Sequence, residues 1–165
     1  MWPAVWMVSL EMKFLNDDVY PGYANILHLQ TGTGSREEGS RVPLVSVVPG
    51  THKLTIEAPL NGNFKHVFNT KELHVNEWIK LQIFQSRHPS QSINTYTYGI
   101  RIDDIVVHSV ASINPRQYLN VKVYASDPWH TFYANVMIRN LELNGKSPTE
   151  LGKQNNFLNR QGHLS

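Results

Sequence analysis

The sequence of 165 residues contains no cysteine, which excludes disulfide bonds, zinc-cysteine sites and thiol catalysis. It also contains no Asn-x-Ser/Thr acceptor for N-glycosylation. No apolar run approaches the roughly 20 residues of a membrane-spanning helix. Except in the last stretch, no long segment carries the apolar stripe of an amphipathic helix. These absences point away from disulfide-rich, membrane-spanning and helical proteins.

Charge of either sign is also scarce. The 15 Lys and Arg residues nearly balance the 13 Asp and Glu residues, so the net charge is +2, and the basic residues are scattered. This distribution lacks the electrostatic footprint of a protein that binds nucleic acid or an anionic membrane. The hydrophobic fraction of 41% predicts one globular domain with its own core. Residues 1–14 lack a basic leader, and we expect them to form a strand rather than a signal peptide.

Period-2 alternation is the dominant pattern, and it is most distinctive over residues 118–143. Val121, Val123 and Ala125 alternate there with polar residues until Asp127-Pro128, where proline ends the strand because it has no N–H to donate. A second strand is predicted over residues 136–143. The same alternation along the chain predicts these core residues: Val8, Leu10, Phe14, Leu54, Ile56, Ile79, Leu81, Ile83, Ile100, Val121 and Val123.

Short turn sequences separate the predicted strands. Gly50-Thr51, Asn61-Gly62-Asn63 and Asp103-Asp104 each lie between two strand-like runs, which predicts hairpins. Roughly ten to twelve short strands with little helix predict an all-β fold, a two-sheet antiparallel jelly-roll sandwich, over residues 1–145. Residues 146–165 are polar and rich in Gly, Asn and Gln, so we expect a C-terminal tail or a short docking segment.

Two segments in the middle of the chain resemble a known superfamily. Trp78 opens the run WIKLQIF, and the hairpin YGIRIDDIVV follows from Tyr98 to Val107. This order of elements, over about residues 5–145, resembles the concanavalin A-like lectin/glucanase sandwiches, which include laminin G-like modules. The resemblance implies an extracellular β-sandwich. It does not specify the ligand, because the superfamily spans lectins, glycosidases, lyases and adhesion modules.

Residues suited to a sugar ligand are present at strand ends and edges. A sugar site needs an aromatic ring that stacks on the apolar face of a pyranose and polar groups that bond its hydroxyls. Trp129, beside Asp127 and His130, has the first property. The predicted ligand-binding residues are His28, Arg41, Arg101, Asp127 and Trp129.

Two structural alternatives compete with this interpretation. Trp129 would instead fill the core at a corner of the sandwich, and Arg41 would instead tie the loop of residues 35–40 through Glu37 or Glu38. Both interpretations use the same residue types, so the sequence leaves them open.

The sequence gives less support to an enzymatic function. A glycoside hydrolase needs two carboxylates about 5 to 9 Å apart on one face. The adjacent acidic pairs of this chain would point to opposite faces of a strand, and no Glu-x-Asp-x-x-Glu run is present. A polysaccharide lyase would need Tyr, His and a neutralising Arg or Asn on one face, and those residue types occur on any sandwich. We therefore predict that the chain is not an enzyme, with hydrolase or lyase as lesser alternatives.

Metal binding is predicted only weakly. The eight histidines stand singly, with no pair at ligand spacing, so no metal ligands are assigned. Loop aspartates such as Asp17, Asp18, Asp103, Asp104 and Asp127 make calcium an alternative to the expectation of no cofactor.

The sequence thus predicts a non-catalytic, lectin-like carbohydrate-binding module, secreted or at the cell surface, whose partner is a glycan. The alternative is an extracellular protein-adhesion or self-association module, which would bind another protein or form a homo-oligomer. Neither alternative involves nucleic acid or a membrane span.

Overall fold

The computed structural model describes residues 1–32, 36–87 and 96–146. Within these ranges the chain forms strands and turns and contains no helix, which confirms the all-β prediction. The strands are β1 (Val5–Phe14), β2 (Ala24–Gln30), β3 (Leu44–Val47), β4 (Leu54–Leu60), β5 (Asn63–Asn69), β6 (Ile79–Arg87), β7 (Tyr96–Ile102), β8 (Ile105–Ser112), β9 (Lys122–Ala125), β10 (Phe132–Tyr133) and β11 (Val136–Lys146).

The strands form two sheets that enclose one core. The five-stranded sheet has the order β11-β1-β6-β7-β8. The six-stranded sheet has the order β10-β2-β3-β4-β5, and β9 also pairs with β2. The ladders are antiparallel, apart from the two-residue pairing of β10 with β2. The predicted two-sheet antiparallel sandwich is therefore confirmed.

Alternation along β1 and β6 builds the centre of the five-stranded sheet's inner face. Val8 lies opposite Ile83 and Leu10 lies opposite Leu81, and all four side chains are buried. Directly opposed residues share one face of a sheet, so these pairs point together into the core. Burial of apolar surface contributes about 25 cal/mol per Å², and this term fixes the register.

The predicted tight turns have the backbone that their residues favour. Asn61 and Gly62 join β4 to β5 with φ values of 53° and 82°, and Asp103 and Asp104 join β7 to β8 with φ values of 50° and 65°. Positive φ at both central residues is typical of a hairpin turn whose twist matches the flanking strands. Asn and Asp tolerate this conformation better than other side chains, which explains their presence.

A bulge interrupts the alternation of β2. The register with β3 shifts between Asn25 and Leu27, and both Ile26 and Leu27 are fully buried. An extra residue at a bulge breaks the alternation, so two consecutive side chains can both be buried. After the bulge, Leu29 points inward, whereas His28 and Gln30 point away from the core.

The burial prediction is wrong at one end of the molecule. Val121 packs against the core only partly, and Val123 is 40% exposed. In the described part of the chain, β9 has one ladder partner, β2, and lies at an edge of its sheet. The opposite sheet does not fully cover a side chain at this edge, so the alternation of β9 does not produce full burial. The other predicted core residues are buried.

The predicted C-terminal tail falls almost entirely outside the described residues, which end at Lys146, the last residue of β11. No helix in the described ranges is long and apolar enough to cross a membrane.

Candidate functional site

A groove crosses the outer face of the six-stranded sheet. His28, Leu44 and Glu57 lie opposite one another on β2, β3 and β4. Tyr124 of β9 extends this row past His28, and Val67 of β5 extends it past Glu57. Opposed residues share a face, and none of these five belongs to the core cluster between the sheets, so the row lies on the outer face of the sheet.

Two adjoining depressions form the groove. The larger, about 610 Å³, is lined by side chains that include His28, Lys122 and Tyr124. The smaller, about 350 Å³, includes Glu57 and Lys65. Both depressions share four lining residues: Arg41, Leu44, Trp129 and His130. The combined volume is in the range of small-molecule sites, and the lining mixes aromatic rings with charged groups.

Trp129 is an exposed aromatic group shared by both depressions of the groove. Its side chain is 60% exposed, and its ring packs edge-on against Tyr124 with centroids 4.9 Å apart and against His28 at 6.2 Å. The backbone N–H of Trp129 donates to Asp127 Oδ1 at 3.0 Å, which positions the ring after the Asp-Pro turn. The alternative that Trp129 fills the core is therefore wrong.

Asp127 is the buried centre of the polar network beneath Trp129. Its carboxylate accepts hydrogen bonds from His28 Nδ1 at 2.7 Å and from His130 Nδ1 at 2.9 Å, as well as from the backbone N–H of His130 at 3.0 Å. Its own backbone N–H donates to Asn25 Oδ1 at 2.8 Å. Burial acts to raise the pKa of Asp127, but the hydrogen bonds from His130 and His28 outweigh it and lower the pKa below the ordinary value. The carboxylate is thus ionised and joins the loop after β9 to β2.

Arg41 belongs to a second charged network in the groove. Its Nε forms an ion pair with Glu57 Oε2, although the N–H is not aligned as a directed hydrogen bond. Lys65 Nζ lies 3.3 Å from Glu57 Oε1, and Arg41 Nη1 donates to Ser40 Oγ at 3.1 Å. The buried Glu57 carboxylate therefore holds two cationic groups at the groove, and Arg41 has a structural partner on β4 that the sequence alternative did not include.

The structure brings four of the five predicted ligand-binding residues together and separates the fifth. His28, Arg41 and Trp129 line the groove, and Asp127 lies directly behind it. Arg101 lies on β7 in the other sheet, where its guanidinium sits 4.5 Å from the centre of the Phe84 ring. Arg101 is therefore not part of this groove.

Several groove residues were absent from the predicted set. Tyr124 and Lys122 occupy the polar positions of the alternating run in β9, and that alternation was the available signal. His130 follows Trp129 directly. Glu57 and Lys65 gave no local signal, because their role depends on the pairing of β4 with β5.

The loop aspartates proposed for calcium occupy separate places. Asp103 Oδ1 accepts from the backbone N–H of Lys80 at 2.8 Å, and Asp104 forms an ion pair with the Lys80 ammonium at 3.0 Å. Asp18 bonds with the side chain of Asn16. Calcium binding by these residues remains a prediction. In the described ranges, the single group of three side chains with metal-ligand atoms close together is His28, Asp127 and His130.

Comparisons with known proteins bear on the fold. No model of a protein family matches the chain, and no curated protein matches it in sequence. Among solved structures, it is similar to the receptor-binding domain of botulinum neurotoxin type G, with a TM-score of 0.56 and 12% identity over 94% of this chain. The chain spans 38% of the length of that toxin domain.

A second similar structure is a point variant of human galectin-16, with a TM-score of 0.50 and 11% identity. The match covers 88% of this chain and 92% of the galectin. At such low identity the likeness shows the fold alone. The chain thus shares the two-sheet β-sandwich fold of these structures, whereas the resemblance to laminin G-like modules remains a prediction.

Proposed function

We propose that this chain is a non-catalytic carbohydrate-binding module, and that the groove on the six-stranded sheet holds the sugar. The observation that carries the proposal is the exposed Trp129 ring, fixed edge-on against Tyr124 at the wall of the larger depression. A large exposed indole on a rigid turn is suited to stack on the apolar face of a pyranose. The proposal includes the extracellular location implied by the superfamily resemblance.

Polar groups around Trp129 supply the remaining requirement of a sugar site. Arg41, Gln30 and Lys122 line the same depression and can donate to hydroxyl oxygens. Stacking contributes on the order of 1 kcal/mol, and each charged hydrogen bond about 1.5 to 3 kcal/mol. These magnitudes predict a dissociation constant between about 1 mM and 1 μM.

The charged networks of the groove support binding rather than hydrolysis. A glycosidase needs one carboxylic acid kept protonated by a raised pKa. Asp127 has a lowered pKa because His130 and His28 bond to it, and Glu57 is held by Arg41 and Lys65. Both carboxylates therefore serve as anchors for cationic and N–H groups, which is a binding arrangement.

The test is a glycan array probed with the full chain, with and without calcium at about 1 mM, followed by titration of the sugars that bind. Trp129→Ala should weaken binding about fivefold to tenfold or more, as expected from losing a stacking interaction. Its urea unfolding transition should stay cooperative, because the side chain is mostly exposed.

Trp78→Ala is the matched control. Trp78 lies beside Lys13 and Arg139 on the other sheet, so its loss removes an indole but leaves the groove unchanged. Undiminished sugar binding by Trp129→Ala, or an array with no bound glycan, would contradict the proposal.

One observation favours the alternative of self-association. β8 is an edge strand of the five-stranded sheet, and it exposes the apolar side chains of Ile105, Val106 and Val107. An apolar sheet edge can pair with another chain. Analytical ultracentrifugation should then show a dimer that the charged variant Val106→Lys disrupts, whereas a monomer at all concentrations would exclude this role.

A further inference from the structure

We infer that His28, Asp127 and His130 form a binding site for a divalent transition-metal ion of the zinc class. One ligand atom from each side chain lies within 4.8 Å of the others. Two imidazole nitrogens and one carboxylate oxygen are a recurrent ligand set for zinc. The site is independent of the proposed function, since the ion would bind without a sugar.

The surroundings of His28 leave the correct nitrogen available. His28 Nε2 lies 2.6 Å from the carbonyl oxygen of Ser40, and a carbonyl can only accept a hydrogen bond. Nε2 therefore carries a proton, and a metal ion at Nδ1 would take the place of the proton that Nδ1 donates to Asp127. A histidine that binds a metal through one nitrogen usually donates the other N–H to a carbonyl or carboxylate in this way.

The ligand atoms of the three side chains converge on one small space. His28 Nδ1 lies 2.7 Å from Asp127 Oδ2, and His130 Nδ1 lies 2.9 Å from each oxygen of that carboxylate. A metal ion among these atoms would replace the protons that the two Nδ1 atoms donate to Asp127. The titration and the spectrum described below distinguish bound protons from a bound metal ion.

The fold holds the three ligands in place, and a metal ion would require only small shifts of the two histidines. The backbone N–H groups of Trp129 and His130 both donate to Asp127 Oδ1, which fixes the carboxylate, and β2 fixes His28. Ligand atoms around a tetrahedral zinc ion are about 3.3 Å apart, given zinc-ligand distances near 2.0 Å. Binding therefore requires both histidine contacts to Asp127, at 2.7 and 2.9 Å, to lengthen by about 0.5 Å. His130, whose side chain is the most exposed of the three, is the least constrained by burial.

The ligand set selects the class of ion. Calcium and magnesium prefer six or more oxygen ligands, which this cluster does not offer. Imidazole favours zinc, copper, nickel and cobalt. His28 and His130 both line the larger depression, so a fourth coordination position would face the groove and be taken by water or by a ligand hydroxyl.

The experiment is isothermal titration of the chelator-treated full chain with zinc chloride, with calcium chloride as comparator. We expect one zinc ion per chain with a dissociation constant of about 10 μM or tighter, and no comparable response to calcium. His130→Ala should weaken zinc binding at least about tenfold. The control His108→Ala removes a histidine of the separate His66 and His108 pair and should leave the affinity unchanged.

A second measurement uses the unmodified chain, so it does not depend on whether the variants fold. In the ¹⁵N-imidazole spectrum of the unmodified chain, zinc should shift the Nδ1 signals of His28 and His130 but not the ring signals of His66. The inference is overturned if zinc does not bind at 1 mM, which is about the weakest affinity of interest, or if His130→Ala binds zinc with unchanged affinity. It is also overturned if, with zinc present, the spectrum shows protons retained on both nitrogens of His28. Because no sugar is present, these outcomes are separate from any failure of the glycan array.

Discussion

Acidification should destabilise this protein through one pair of histidines at the open edge of the sandwich. His66 on β5 and His108 on β8 stack with centroids 5.1 Å apart, and their Nε2 atoms lie 2.9 Å from each other. One ring must donate and the other must accept, so this contact requires a neutral acceptor. Burial lowers the pKa of both rings, and the proximity of His66 lowers that of His108 further.

The direction of the effect follows from these lowered pKa values. In the unfolded chain each histidine takes up a proton as the pH falls through about 6.5. In the folded protein uptake occurs only at lower pH, so between these values the unfolded state binds more protons. The contribution of this pair to stability is therefore constant above about pH 7.5 and falls as the pH drops through 6.5 towards 5.

The magnitude follows from the geometry of the pair. Two unit charges at the observed centroid separation repel by about 3 kcal/mol at an effective dielectric constant near 20, and by about 1 kcal/mol in bulk water. The rings also contact Tyr98 and Phe68, which carry no compensating charge. Burial raises the pKa of Tyr98, so its hydroxyl stays neutral throughout this range. We expect the pair to cost between about 1 and 3 kcal/mol once both rings are protonated.

The assay is urea unfolding at intervals between pH 7.5 and 5.0, with a chelator present so that no metal contributes. His108→Phe retains an aromatic ring against Phe68 but cannot titrate. Between pH 7.5 and 5.0 its free energy of unfolding should therefore fall by at least about 1 kcal/mol less than that of the unmodified protein. The control His74→Phe changes an exposed histidine and should follow the unmodified protein. Curves for His108→Phe and the unmodified protein that are parallel within about 0.3 kcal/mol would refute the reasoning.

Two further predictions concern the core and the groove. Leu81→Ala, at a fully buried position of β6, should lower the free energy of unfolding by about 2 to 5 kcal/mol. Val123→Ala, at the exposed edge, should lower it by less than about 1 kcal/mol. Similar losses for the two variants in chemical denaturation would contradict the burial assignment. Glu57→Gln should cost about 3 kcal/mol, since it removes the buried carboxylate charge that pairs with Arg41 and Lys65. The exposed Asp104 carboxylate provides the comparison, and Asp104→Asn should cost less than about 1 kcal/mol in the same measurement.

Local chemistry in the sequence determined the strands and their turns. Alternation in β1, β4 and β6 identified the buried side chains correctly, because period 2 is the geometry of any strand with one covered face. Asn61-Gly62 and Asp103-Asp104 marked two hairpins, because few residues tolerate the positive φ that such turns require. The sequence left open whether Trp129 fills the core, and only the structure shows that it is exposed.

Tertiary structure alone decided which outward-facing residues share a surface. Alternation shows that Arg101 points away from the core, but a sandwich has two outer faces, and strand order put Arg101 and His28 on different sheets. Asp127 meets His28 across 99 positions of sequence because β9 pairs with β2. Such pairing depends on the register and order of all the strands together, so no local pattern predicts it.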